Sequence, residues 1–396
     1  MTIFLFLKQI VDVLYPYKWL DYMMVCLVIF MLVYQILLVR PSIRDKFTVT
    51  DGIVLVLSLL LTFSFVKNMD GYGVYFKVLS AFLMFFVGRV YYDRIQECFG
   101  ALVTSSYLVI YVNFLYRLIN NGFTFGSGNA GGDLYYYDTD MAFAMILGMV
   151  FIGMLGKNTL RKLFTIGIVC PCMVLYSDAG IQKMVLAAVY VILVIYIVEK
   201  VSGKRKLADG LLTIIVAALL LVIGIFLLPV FTGQDASGLL AGVSGIIGGS
   251  SLNWDNMLER YSGWREIWAY LRQGSTFKLL LGTDLCSVSL HNSVFYNMNS
   301  LYMKTLYSMG IMGIILLVAF VVSVVYYVIK VKDRKTFYIT VILAVMLLTA
   351  GVTVSSMEAT QMSWFPMMFS GMVISSVQVE KREQYKEEYS MEEMEA

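Results

Sequence analysis

The sequence predicts an all-α protein: a polytopic integral membrane helix bundle of about eleven spans, with one large extracytoplasmic loop that contains a short amphipathic helix. Three observations carry that prediction. Of the 396 residues, 59% are hydrophobic and only 14% charged, about half the charged share of a soluble domain, and the mean hydropathy is +0.77. Apolar runs of spanning length recur from one end of the chain to the other. Lysine and arginine gather in alternate connections between those runs, the pattern that sets the sense of membrane helices. A hydrocarbon core of about 30 Å takes about 20 residues per helix, so eleven spans use about 220 residues and leave chain for one sizeable loop. The net charge of +3 is small and its bases are scattered, which gives no basic face for nucleic acid.

The elements follow in order. Met1 to Leu14 is interrupted by Lys8 and Asp12 and has neither a basic start nor a small-residue cleavage site. It reads as an interfacial helix or a short first span rather than a removable signal peptide. The apolar runs then fall at about 20–39, 50–66, 74–90, 96–118, 139–156, 162–177, 180–198, 209–231, 301–329, 336–354 and 361–379. One alternating set of connections holds nineteen of the thirty Lys and Arg residues, among them Arg40, Arg89, Arg161, Lys200, Arg205, Arg334 and Lys381. That set is cytoplasmic by the positive-inside rule, so the long loop 232–300 and the connection 120–138 face the other way. Residues 1–379 form one transmembrane domain. The tail 380–396 carries seven Glu and little apolar content, and reads as an acidic, disordered cytoplasmic segment. Gly126 to Gly132 and Gly233 to Ser251 read as flexible backbone. Five cysteines, with Cys26, Cys170 and Cys172 inside apolar runs, make no disulfide framework.

Chemistry concentrates at the outer mouth. No acidic residue is centred in a predicted span, which argues against the buried relay of an ion-coupled transporter. In the long loop Trp264, Ile267, Trp268 and Leu271 share the spacing of one helical face, with Ser262 placed to cap its start and Gly274 its end. The stripe belongs on the membrane surface or on other helices. Arg265 and Arg272, two turns apart, lie along one flank, and Arg260 sits just before. Guanidinium groups match phosphate oxygens bidentately, and a diphosphate offers several. The single histidine, His291, is followed by Asn292, and its ordinary pKa near about 6.5 suits proton transfer. Lys183 adds a cation at the outer start of its span. No metal-ligand spacing and no phosphate-cradling loop is present, so neither metal nor cofactor is expected.

Tyr261 to Trp268, then Leu279-Leu280-Leu281-Gly282, then Asn299-Ser300-Leu301-Tyr302 leading into Gly310-Ile311-Met312-Gly313, resembles the region shared by O-antigen ligases and Wzy-type polysaccharide polymerases. Ser177 to Lys183 resembles a further family feature, a Ser with a basic residue before a span. The resemblance implies a multi-pass protein of the bacterial plasma membrane with an extracytoplasmic active face. It also implies an inverting, metal-independent glycosyltransferase that polymerises polyprenyl-diphosphate-linked oligosaccharide repeats into a capsule, exopolysaccharide or O-antigen. Ligase-type transfer of finished glycan, or a lipid-linked sugar flippase, is the alternative. The partners implied are the lipid-linked oligosaccharide, membrane lipids and other polysaccharide-assembly proteins. Arg265, with Arg260, Arg272 and Lys183, would hold the diphosphate, while Trp268, Asn299 and Tyr302 would meet the rest of the substrate. The family pattern puts His directly before Asn, where this chain has Met298-Asn299; its own His291-Asn292 pair lies earlier. The base is therefore His291, or a carboxylate such as Asp284 or Asp138.

Overall fold

The computed structural model describes residues 1–13, 18–35, 47–67, 69, 71–121, 138–176, 180–232, 254–285, 300–352 and 354–395. These are helical throughout, with no strand among them. The helices are α1 (Thr2–Val13), α2 (Lys18–Tyr34), α3 (Val49–Val66), α4 (Tyr72–Val90), α5 (Tyr92–Glu97), α6 (Phe99–Asn121), α7 (Asp138–Leu155), α8 (Thr159–Phe164), α9 (Cys170–Tyr176), α10 (Gly180–Ser202) and α11 (Arg205–Thr232). They continue with α12 (Trp254–Gln273), α13 (Thr276–Leu281), α14 (Leu301–Lys330), α15 (Arg334–Ala350) and α16 (Thr360–Glu395). Helices occupy all eleven apolar runs read from the sequence. Among the described residues, five helical segments have the length and hydropathy to cross a membrane: Val49–Val66, Tyr72–Val90, Phe99–Ile119, Val185–Ser202 and Leu301–Lys330.

Burial is arranged as lipid requires. The first half of α16, Thr360 to Val377, is buried along its length, and α7 is nearly so. The outer helices instead expose large apolar side chains, including Leu59, Phe63, Val194, Leu221, Val318 and Val322. A water-facing monomer rarely shows so broad an apolar belt. At the centre α4 and α16 pack backbone to backbone: a Cβ at Gly88 would strike the Met368 carbonyl, and one at Gly371 the Phe85 carbonyl. Small residues permit such approach where apolar burial gives no contrast with lipid.

Two ends are defined by side-chain pins. At one end Asp51, held in a capping box with Thr48 at the start of α3, accepts both Arg89 Nε at 2.9 Å and Nη2 at 3.1 Å from the end of α4. Arg89 also donates to Ser375 and Gln378 of α16. At the same end Arg334 forks onto Glu199 with two bonds of 2.6 Å and reaches Asp209, joining α10, α11 and α15. The connections rich in Lys and Arg lie here, so this is the basic end. The opposite end carries α12, α13 and the start of α14.

Three readings are corrected. Helix α1 neither lies apart nor skirts the surface: it packs on α6 and α16, burying Phe4, Leu5, Lys8 and Asp12. Its charges are satisfied inside, since Lys8 pairs with Asp12, donates to Thr360 Oγ1 at 3.1 Å and lies 4.5 Å over the Trp364 ring. In the segment read as a disordered tail, α16 runs on to Glu395; its Glu, Lys, Gln and Met residues are strong helix formers. The run 162–177 is not a plain helix but contains a π-helical turn, Thr165–Val169, between α8 and α9. Pro171 cannot donate to the carbonyl one turn back, and Tyr190 donates its hydroxyl to the Ile166 carbonyl in that turn.

Candidate functional site

The site is built around a break in the longest apolar helix. Thirty residues of α14 would stretch about 45 Å, about 15 Å more than the hydrocarbon core. The excess is cut off by a break at Gly310, where φ is 68° and ψ −164°. Below the break, Ile311 to Lys330 has the length of one bilayer thickness of helix; above it stands the segment Leu301 to Met309.

Into that break fits the turn after α13. Gly282 also has positive φ, 71°, and the two glycines face each other. A Cβ on Gly282 would lie 2.6 Å from the Gly310 nitrogen, and one on Gly310 would lie 2.5 Å from the Gly282 nitrogen. Only glycine tolerates both the backbone angle and the approach. The break frees the Tyr307 carbonyl from its helix, and Thr283 replaces the lost donor with its N–H at 2.8 Å and its hydroxyl at 3.0 Å. Two stretches noted separately in the sequence, Leu279 to Gly282 and Gly310 to Gly313, thus form one joint.

Helix α12 lies over this joint. Trp264, Ile267 and Leu271 are wholly buried against Ile223 and Val230 of α11 and Met303, Leu306 and Tyr307 of α14, with Trp268 half-buried beside them. Of the two settings left open for the apolar stripe, the structure selects the other helices. The helix begins at Trp254, so Ser262 is interior and not its cap. The preceding residues, Asp255 to Arg260, contain no breaker that would delay the start. Gly274 does end it, bonding back to the Leu271 carbonyl at 3.3 Å. Arg265 is half-buried and Arg272 exposed, seven residues apart and so within about 20° around the axis. Arg260, five residues before Arg265, is set about 140° away on the same helix, so it does not share their flank.

The remaining site residues divide plainly. Asp284 follows Thr283 directly and is half-buried; its charge acts on Lys67. Tyr302 donates its hydroxyl to the Leu348 carbonyl at 2.9 Å, which ties α14 to α15 and occupies the group expected to meet substrate. Lys183 and Asp138 lie in the first turns of α10 and α7. His291, Asn292 and Asn299 lie outside the described residues, as do Gly126 to Gly132 and Gly233 to Ser251. Among the described residues, no three His, Cys, Asp or Glu side chains gather as metal ligands.

Two cations escaped the sequence reading. Lys67, just past α3, donates to the Gly282 carbonyl at 2.9 Å and lies 4.7 Å over Phe63 and 5.9 Å over Phe277. Desolvation by these neighbours pulls its ammonium below the ordinary lysine value, with Asp284 acting in the opposite sense. Lys304 pairs with Glu358, and both line a small cavity of about 40 Å³ with Ser308 and Leu285. No motif announces either residue, because their partners are a backbone carbonyl and a residue more than fifty positions away. The far end therefore carries Arg265 and Arg272 on α12, with Lys67, Lys304, Asp284 and Glu358 near the backbone joint: cations and carboxylates of the kind that can bind an anion. Comparisons with known protein families, with characterised proteins and with solved structures find no match to this chain.

Proposed function

We propose that the chain is a membrane glycosyltransferase that polymerises polyprenyl-diphosphate-linked oligosaccharide repeats into a surface polysaccharide. All eleven apolar helices cross the bilayer, the basic end is cytoplasmic, and the chemistry occurs at the opposite face. The observation that carries the reading is the seating of α12: Arg265 sits on a helix anchored over the glycine joint, at the end of the bundle away from the basic connections. A donor arriving there can leave its polyprenyl tail in the bilayer while its diphosphate meets the cations.

The reaction is attack of an acceptor sugar hydroxyl on the anomeric carbon of the donor, with inversion. The bond from that carbon to the diphosphate oxygen breaks, and the lipid diphosphate leaves with the electron pair. Charge grows on the leaving oxygens, and Arg265, supported by Arg272, stabilises it without waiting for solvent to reorganise. The acceptor proton goes to His291 or Asp284, a transfer typically worth about 10²- to 10⁴-fold in rate.

The test is elongation of a synthetic lipid-diphosphate oligosaccharide by the purified protein. Arg265→Ala is expected to lower transfer by about 10²-fold or more, the scale of losing one transition-state donor, while Arg272→Ala costs less because that side chain is exposed. Near-normal turnover in Arg265→Ala would remove Arg265 from the site. In cells lacking the protein, single repeats on lipid indicate a polymerase and long chains stranded on lipid a ligase. Unchanged lipid-linked pools sink both.

A further inference from the structure

Between α11 and α14, floored by α15, runs an apolar groove of about 500 Å³ that the proposed transfer does not use. One face of α11 lines it through Arg205, Asp209, Leu212, Val216 and Leu220, a length of about 22 Å, similar to an extended fatty acyl chain. Val321, Val325 and Val328 of α14 form the other wall, and Phe337, Val341 and Ala344 the floor. The groove is apolar along its length and charged at one mouth, where Arg205 and Arg334 line it at the basic end.

The mouth is electrostatically incomplete. Arg334 is taken up by Glu199 and Asp209, with bonds of 2.6 Å to each, whereas Arg205 stands 3.7 Å from Asp209 with half its side chain exposed. Lys204 and Lys206 flank Arg205 and are exposed. Like charges held together at a membrane surface are relieved by a bound anion, and an anion with an apolar chain fits a groove of this polarity.

We infer that this groove binds one anionic phospholipid from the leaflet at the basic end, its phosphate at Arg205 with Lys204 and Lys206 beside it and an acyl chain along α11. The occupant is a resident lipid and not the sugar donor, since the groove's charged mouth lies at the end of the bundle opposite α12. The purified full-length protein, delipidated in detergent, is titrated with phosphatidylglycerol or phosphatidylcholine of identical chains and read by native mass spectrometry. Phosphatidylglycerol is expected to be retained about tenfold better, a preference of about 1.4 kcal/mol. Arg205→Gln should erase most of that preference. Ala217→Phe with Ala344→Phe, which fills the groove, should lower retention of both lipids. Equal retention of the two lipids by the native chain, or an unchanged preference in Arg205→Gln, overturns the proposal. So does displacement of bound phosphatidylglycerol by farnesyl diphosphate, which would assign the groove to the donor's tail.

Discussion

At the scale of single residues the joint at Gly282 and Gly310 is the most demanding feature. Each glycine sits at positive φ, where a Cβ costs on the order of 1–2 kcal/mol by itself, and each would press a Cβ into the other's backbone. Gly310→Ala is therefore expected to destabilise by more than about 2 kcal/mol, and Gly282→Ala similarly, while Gly100→Ala, with open space at its Cβ, should not. Thermal unfolding in detergent reads the difference. Equal midpoints for the three variants would mean that the joint is not rigid, and Arg265 would lose its fixed platform. The sequence displayed both glycines, each beside an apolar run, but no spacing rule links residues so far apart, so their contact was not legible. His291 carried the clearest chemical signal in the chain, yet it lies outside the described residues. Tyr302, expected to meet substrate, donates its hydroxyl to the Leu348 carbonyl, a contact no sequence pattern displays.

Among elements, periodicity and length were legible where one principle acts alone. Among the described residues the apolar runs coincide with helices, five of them long and apolar enough to cross a membrane, because backbone groups in lipid must bond within their own segment. Boundaries failed where tertiary contact decides them: α12 extends eight residues before Ser262, and α16 continues through the acidic tail. Helix α1 is the sharpest case. Its Lys8 and Asp12 suggested the interface, but one turn apart on a helix they pair inside the bundle with Thr360 as a third member. A buried pair contributes little net stability, whereas losing one partner costs about 3–5 kcal/mol, because a charge is left uncompensated. Asp12→Asn should thus lower the unfolding midpoint sharply, and Lys8→Met with Asp12→Leu should recover most of the loss. If Asp12→Asn proves as stable as the native chain, α1 is not anchored by this pair and its place beside α6 rests on apolar packing alone.

For the whole molecule the argument turns on sidedness. The basic end is pinned by Arg89 and Arg334, each paired with carboxylates and therefore partly neutralised, so the orienting charge falls on residues such as Lys204 and Lys206 in the exposed connection. In the topology proposed above, those cations hold their end in the cytoplasm. Lys278 on α13, stacked 3.1 Å from the Tyr270 ring, is carried to the other side along with α12 and the glycine joint. A chain with its five native cysteines replaced allows a direct reading in intact cells. Lys278→Cys should react with a membrane-impermeant maleimide, and Lys204→Cys should react only after permeabilisation. The reverse pattern would place Arg265 among nucleotide-activated sugars. A lipid-diphosphate donor would then have no evident advantage, and the extracytoplasmic glycosyl transfer proposed for this fold would fail, whatever the stability of its parts.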